Sequence, residues 1–326
     1  MNQHATNVDD AGHRDAVTGR HYELIAPTTG RTTEQPVAQP GPGQVLIQVI
    51  ASGVCASDLS TWSERLPQYP VRLGHEPVGT VHTTGAGVDL PVGTLVTGRV
   101  EPAFADFVIA DLRDLVPVPA GIDPQHALGE PLGCVAEALR RSSVHLADRV
   151  AVIGLGFMGQ CMVQLLARSA TARVTAIDLR QDARALAASL GADDAYHPDE
   201  LPAFLRAGDG LDLVVEATGS QAGLDLATEL VRPHGMVSIL GFHQGARTVD
   251  AETWNWKSID VINAHVRDRD LLRESTRAAL DMLAAKRIDI APLVTHRFRL
   301  DQVDDAFAAL RAKPDGFVKA VIVNDG

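Results

Sequence analysis

The sequence predicts an α/β chain of two units, a mainly β unit followed by a doubly wound parallel sheet, and three observations carry that prediction. From Val150 onward, short apolar runs alternate with helical patterns, as in a parallel sheet with crossover helices. Before residue 130, short β-like runs are broken by glycine and proline, the texture of a twisted β unit. At 326 residues the chain exceeds the length at which one core usually stops growing, so two domains are expected.

Taken in order, residues 1–20 are polar, carry Asp9, Asp10 and Asp15, and lack an apolar core; they read as a disordered tail and not as a secretory signal. The β-like runs follow at 45–50, 78–81, 95–100 and 107–109. The alternating part reads as strand 150–153, helix 159–167, strand 174–177, helix 181–190 stopped by Gly191, strand 211–216, helix 224–230 and strand 236–240. Helical patterns at 271–285 and 303–310 lead to a last strand at 318–323. The expected division is a catalytic unit of 21–130 and 265–326 around a nucleotide-binding unit of 131–264. Residues 150–167 are apolar enough to suggest a membrane span, but three glycines at turn spacing make strand, turn and helix the better reading.

Composition narrows the function. A net charge of −12, a pI near 5.4 and no Lys/Arg run argue against a nucleic-acid or anionic-membrane partner and suggest a cytoplasmic enzyme. Three cysteines, Cys55, Cys134 and Cys161, give no disulfide framework and fit a reducing compartment.

The strand at 150–153 enters Gly154-x-Gly156-x-x-Gly159, and a helical pattern leaves it. The first glycine permits a sharp turn, the second lets a pyrophosphate reach the backbone, and the third lets helix and strand pack closely, with the helix N-terminus facing the phosphates. A second strand ends at Asp178, 24 residues after Gly154, near the offset expected of the acid that binds the adenosine ribose. A carboxylate there accepts from a free 2′-hydroxyl and repels a 2′-phosphate, so NAD is favoured over NADP; Arg180, two residues on, partly offsets the repulsion.

Cys55, Ser57 and Asp58 stand within four positions, and His75-Glu76 follows twenty residues after Cys55. Thiolate, imidazole and carboxylate together suit Zn²⁺, and three protein ligands leave the open position of a catalytic site. Singly, each has an ordinary reading: a small buried thiol, a core histidine, a solvated acid.

Residues 53–58, Gly74-His75-Glu76, Glu130-Pro131-Leu132 and the turn at Gly154 occur in the order and at about the spacing of the zinc-dependent medium-chain dehydrogenases/reductases. Residues 216–220, 239–241 and 316–322 add to a resemblance that spans roughly 40–323. It implies a GroES-like mainly β catalytic domain, a Rossmann domain, and hydride transfer between a secondary alcohol and a ketone. It also implies Cys55 and His75 as zinc ligands, with Glu76 and Glu130 in the remaining positions. Asp58 is then the carboxylate that orients His75, and Ser57 the hydroxyl that takes the substrate proton. Cofactor contacts carry over to Gly154, Gly156, Phe157, Met158, Gly159, Asp178, Arg180, Ala217, Thr218, Leu240, Gly241, Ala264 and His265.

The chain departs from the family in three places. The four-cysteine lobe for a structural zinc is expected after Val100, but the sequence runs directly on through residues 101–105 and holds three cysteines in all, so one catalytic zinc is expected and no structural one. Cys134, in an expected helix start, and Cys161 are read as buried thiols, with Cys134, one turn from Glu130, as an alternative ligand. Ser60 occupies the position of the usual relay histidine, and Ala183 that of a basic residue at the adenine end, where Arg180 or Arg184 could substitute.

Glu130 in place of a third cysteine, with Trp62, resembles the polyol, sugar and threonine branch and implies a small polyhydroxylated substrate such as an alditol or cyclitol. The segment 254–267 is expected beside the nicotinamide and at the sheet edge used for dimers, with His265 toward a polar substrate, Arg267 toward substrate or interface, and Trp254 and Trp256 in packing. A homodimer or homotetramer is expected. The alternatives are a threonine-type amino-alcohol dehydrogenase and a silent NAD-binding protein, the latter suggested by Ser60. A zinc-free quinone reductase would have no reason to hold Cys55, His75 and Glu76 together.

Overall fold

The computed structural model describes residues 17–206 and 210–324. The expected polar tail lies outside the described residues up to residue 16, and its last residues, from Thr18, already belong to a strand. In chain order β1 (Thr18–Ala26) and β2 (Thr29–Pro36) form a hairpin, followed by β3 (Gln44–Gly53), α1 (Leu59–Ser63), β4 (Glu76–Thr84), β5 (Leu95–Gly98), β6 (Phe107–Asp111), β7 (Leu115–Pro117) and α2 (Gly129–Arg141). The second unit runs β8 (Arg149–Ile153), α3 (Phe157–Leu166), β9 (Arg173–Ile177), α4 (Gln181–Leu190), β10 (Asp194–Tyr196), α5 (Ala203–Arg206), β11 (Leu211–Glu216), α6 (Gln221–Leu230), β12 (Val231–Ile239), α7 (Ala251–Lys257) and β13 (Asp260–Asn263). The chain then returns through α8 (Arg269–Ala284), β14 (Val294–Arg299), α9 (Val303–Ala312) and β15 (Lys319–Val323).

Strands β8 to β13 form one parallel sheet in the order β10-β9-β8-β11-β12-β13. The apolar runs of β8, β9 and β11 are buried on both faces, as the centre of a parallel sheet requires. The order reverses between β8 and β11, which opens a crevice at the carboxyl ends of the strands, the place where this architecture takes ligands. Helix α4 spans the expected residues and stops at Gly191, whose φ of +118° a side chain would resist.

The other main sheet runs β14-β15-β3-β4-β5-β7, with β6 also paired to β3. Because β15 lies antiparallel to β3, the C-terminal strand completes the N-terminal unit. The hairpin β1–β2, the strands β10, β13 and β14, and helix α7 were not legible as elements. Strand β2 is polar and mostly exposed, so it carries no buried-face alternation. Helix α2 starts at Gly129, earlier than the helix start inferred around Cys134; Pro131 is tolerated in its first turn, where backbone N–H groups lack helical partners anyway.

Trp62 takes the ordinary place of a core aromatic. It is 2% exposed, stacks on Phe307 at 5.4 Å, and donates from Nε1 to Asp304 at 2.7 Å. It is a core residue of the catalytic unit and gives no information about substrate. Trp254 packs, donating to Thr228 Oγ1 at 3.0 Å, whereas Trp256 is 83% exposed, contrary to the packing role expected of it.

Candidate functional site

The register of three adjacent strands assembles the metal site. In β3, Gly53 pairs with Glu76 of β4 on one side and Val321 of β15 on the other, so Cys55, Glu76 and Lys319 gather at one end of the sheet. His75 enters just before β4. Among the described residues, Cys55, His75 and Glu76 bring one ligand atom each within 4.8 Å of one another. Gly53 is required here because a Cβ would overlap Glu76 Oε2.

Polar contacts fix each member. Asp58 Oδ2 lies 3.2 Å from His75 Nδ1, the orienting contact expected of it. Burial works hardest against a charged His75, but Asp58, Cys55 and Glu76 outweigh it, and its pKa is pushed up to about 11. Ser57 Oγ donates to Cys55 Sγ at 3.2 Å. Glu76 is fully buried; its Oε1 accepts from Lys319 Nζ at 2.9 Å, while Oε2, 2.7 Å from the same nitrogen, makes no hydrogen bond. Burial opposes the charge on Lys319 and the Glu76 carboxylate overcomes it, so its pKa is raised. Lys319 was missed from sequence: it stands in a stretch read only as family texture, and a lysine opening an apolar strand was the available signal.

A fully buried carboxylate beside a thiol and an imidazole is the donor set that Zn²⁺ accepts, so these residues fit the ion. Glu130 stands outside that cluster but within its field. Burial and the Glu76 charge push its carboxyl above the ordinary range, with His75, Lys319 and Arg99 pulling the other way. Cys134, on the second turn of α2 and not at its start, is half-buried and lines the same cleft instead of the core. Its Sγ lies 3.5 Å from Glu130 Oε1, and burial and that carboxylate raise its pKa. Cys161 is buried as expected.

This cluster opens into a cleft of about 620 Å³ that continues to the carboxyl ends of β8, β11, β12 and β13. Of the residues expected at the cofactor, Gly156, Phe157, Met158, Arg180, Ala217, Thr218, Leu240, Gly241 and His265 line it. Gly154, at φ +95°, and Gly159 sit behind them, where a Cβ would strike Ala217 and Thr218 or the Gly154 carbonyl; Gly156 faces open space. Asp178 accepts from Leu155 N at 2.7 Å and Arg180 N at 2.8 Å, which anchors the acid at the turn. Ala264 is an exception. It is fully buried, donates to the Ile239 carbonyl at 2.9 Å, and does not line the cleft.

Two further features were not anticipated. Glu216, fully buried at the end of β11, accepts from Thr218 N at 2.7 Å, Gly219 N at 3.0 Å and Thr218 Oγ1, and so shapes the loop under the cofactor cleft. His243 Nε2 meets its other oxygen at 2.7 Å while Nδ1 accepts from Arg247 Nε at 3.0 Å, which places the shared proton on Nε2. Across the cleft, Gln244 donates to Ser60 Oγ at 3.2 Å, so the hydroxyl at the relay position is bound by the nucleotide unit. Arg184 donates to the Asp178 and Leu179 carbonyls and is taken up locally, whereas Arg180 reaches the Phe317 and Leu155 carbonyls and faces the cleft.

Fold and site together define a dinucleotide-dependent oxidoreductase with a metal-binding cleft. Residues 41–120 match the family model "Alcohol dehydrogenase GroES-like domain" and residues 158–285 match "Zinc-binding dehydrogenase". A sorbitol dehydrogenase of Gallus gallus is 30% identical over 90% of this chain and 94% of its own. An L-threonine 3-dehydrogenase of Pyrococcus horikoshii is 26% identical over 87% and 93%. The alcohol dehydrogenase TADH of Thermus sp. ATN1 superposes with a TM-score of 0.83 at 24% identity over 93% of this chain and 99% of that one, which bears on the fold alone. The chain belongs to the zinc-dependent medium-chain alcohol dehydrogenase family, and is a dehydrogenase that uses zinc and a nicotinamide dinucleotide. Among the described residues no helix is long and apolar enough to cross a membrane.

Proposed function

We propose that this chain is an NAD-dependent dehydrogenase with one catalytic zinc that interconverts a secondary alcohol and a ketone on a polyhydroxylated substrate. The observation that carries the reading is the Cys55–His75–Glu76 cluster opening into the same cleft as the glycine turn. When bound there, zinc supplies Lewis-acid polarisation of a substrate oxygen. In this reading Asp58 holds the His75 ring, Ser57 Oγ takes the substrate proton, and Glu130 offers an acceptor to a neighbouring hydroxyl. Asp178 favours the free ribose of NAD over the 2′-phosphate of NADP. The likeness to sorbitol dehydrogenases supports the polyol class; the likeness to threonine dehydrogenases keeps an amino alcohol as the second reading. A homodimer or homotetramer in the cytoplasm belongs to the same proposal, with β13 free at the sheet edge.

The test is NADH formation by zinc-quantified protein, with a chelator control, across alditols, cyclitols, aldoses, threonine and simple alcohols. Turnover confined to polyhydroxylated substrates and lost with the metal is the expected result. Threonine turnover alone selects the second reading, and NAD binding without zinc or turnover selects a silent nucleotide-binding protein.

A further inference from the structure

We propose that Lys313, carried by the catalytic unit, is a ligand of the adenosine ribose: its ammonium donates to the hydroxyl oxygens whose hydrogens Asp178 accepts. This rests on the NAD reading above and deepens it, because tight cofactor binding then draws on both units of the chain.

The chemistry of the ribose site calls for such a donor. An ionised aspartate can only accept hydrogen bonds, so Asp178 takes the ribose hydroxyl hydrogens and leaves the hydroxyl oxygens with unfilled lone pairs. The side chains that the nucleotide unit places around Asp178 do not fill them. Ala183 is buried and apolar. Arg184 Nη1 donates to the Asp178 and Leu179 carbonyls, at 2.8 Å each. Arg180 donates to the Phe317 carbonyl at 2.8 Å and the Leu155 carbonyl at 3.3 Å, and its Nε stands 3.6 Å from Asp178 Oδ1.

The catalytic unit supplies a cation through the way its C-terminal loop is tied down. Helix α9 gives way at Lys313, whose φ of +45° turns the chain while its backbone N–H donates to the Ala309 carbonyl at 2.8 Å. The loop that follows crosses to the start of α4 in the other unit: Gly316 N donates to Asp182 Oδ2 at 2.7 Å, and the Phe317 carbonyl accepts from Arg180. Lys313 is thereby held at the wall of the cofactor cleft and within the field of Asp178. Its side chain makes no hydrogen bond or ion pair among the described residues.

The residue is exposed, yet the cleft wall partly desolvates its ammonium and lowers its pKa; Arg180 adds to that shift and the Asp178 carboxylate opposes it. Asp178 is already engaged by two backbone N–H groups and lies beside Arg180, so the ammonium is available to a third group, and its flexible stem lets it reach one. The pyrophosphate has its own donors in the N–H groups at the start of α3, behind Gly156. The ammonium beside Asp178 is therefore left for the sugar.

The test is calorimetric binding of NADH, NADPH, AMP and 2′,3′-dideoxy-AMP to the zinc-loaded wild type, Lys313→Gln and Lys313→Arg. Lys313→Gln should raise the Kd of NADH and AMP about five- to twentyfold, as the loss of one hydrogen bond from a charged donor does. It should leave the Kd of dideoxy-AMP, which lacks the ribose hydroxyls, unchanged, and Lys313→Arg should recover part of the NADH and AMP affinity. An AMP Kd unmoved by Lys313→Gln overturns the inference. An equal loss for dideoxy-AMP overturns it too, because the ammonium would then act on the phosphate or through the fold of the loop. In both cases tighter binding of NADH than of NADPH by wild type leaves the NAD reading standing. Tighter binding of NADPH, weakened by Lys313→Gln, would put the ammonium on a 2′-phosphate and overturn both.

Discussion

Glu76 and Lys319, 243 positions apart in sequence, form a fully buried ion pair, with Nζ 2.7 and 2.9 Å from the two carboxylate oxygens. The pair joins the first residue of β4 to the first residue of β15 across β3, and it sits against the proposed metal site. Lys319 also lies 5.1 Å from the centre of the Phe157 ring, at the start of the helix behind the glycine turn. One ammonium thereby touches the metal end and the nucleotide end of the cleft.

Lys319→Met is expected to destabilise the metal-free protein by about 3–5 kcal/mol, because it leaves a carboxylate buried without its counter-charge. The zinc-loaded protein should lose less, since a divalent cation at Glu76 supplies positive charge in place of the ammonium. Denaturant unfolding of both proteins with and without zinc measures the difference. An equal loss in the two states would mean that Glu76 does not face the ion.

Gly53→Ala should empty the metal site without unfolding the chain. Its Cβ would overlap Glu76 Oε2 and stand 3.1 Å from Lys319 Cε, so it would crowd both members of the ion pair. The cost to stability is about 1–3 kcal/mol, typical of overpacking. Zinc stoichiometry and activity should fall at least tenfold, read by metal analysis and NADH formation. Full zinc content with unchanged rate would remove Glu76 from the ligand set.

The two cleft cysteines separate in the same assay. Cys55→Ser should abolish stoichiometric zinc, because a hydroxyl does not replace a thiolate ligand. Cys134→Ser should keep it, since Cys134 lies outside the cluster and its thiol is held protonated by burial and Glu130. Zinc loss in Cys134→Ser as well would move the site toward Glu130.

The contrast between these residues shows what a sequence encodes locally. Helix α4 and its Gly191 stop, the strands β8, β9 and β11, and the turn at Gly154 were legible because apolar periodicity and glycine conformations are properties of adjacent residues. Cys55, His75, Asp58 and Glu76 were legible through spacing and family resemblance. Lys319, Arg99 and the Glu216–His243–Arg247 chain were not, because each acquires its meaning from strand register or domain apposition. Trp62 shows the converse: nothing local distinguishes an aromatic ring in a core from one in a cleft.

His265 provides a pH-dependent readout away from the metal. Burial lowers its pKa below 6.5, the Gly241 carbonyl at 3.1 Å opposes that shift, and Arg267 reinforces it. The folded chain therefore binds this proton less readily than the unfolded one. Stability is unaffected above about pH 7.5 and falls as the pH drops through 6.5 toward the folded value, where the penalty is complete. Wild type should lose more stability than His265→Gln over that window, and the ring titration followed by NMR should have its midpoint below 6.5. In Arg267→Gln the midpoint should rise, because one source of repulsion is gone. A midpoint indifferent to Arg267 would place the guanidinium away from the His265 side of the cleft.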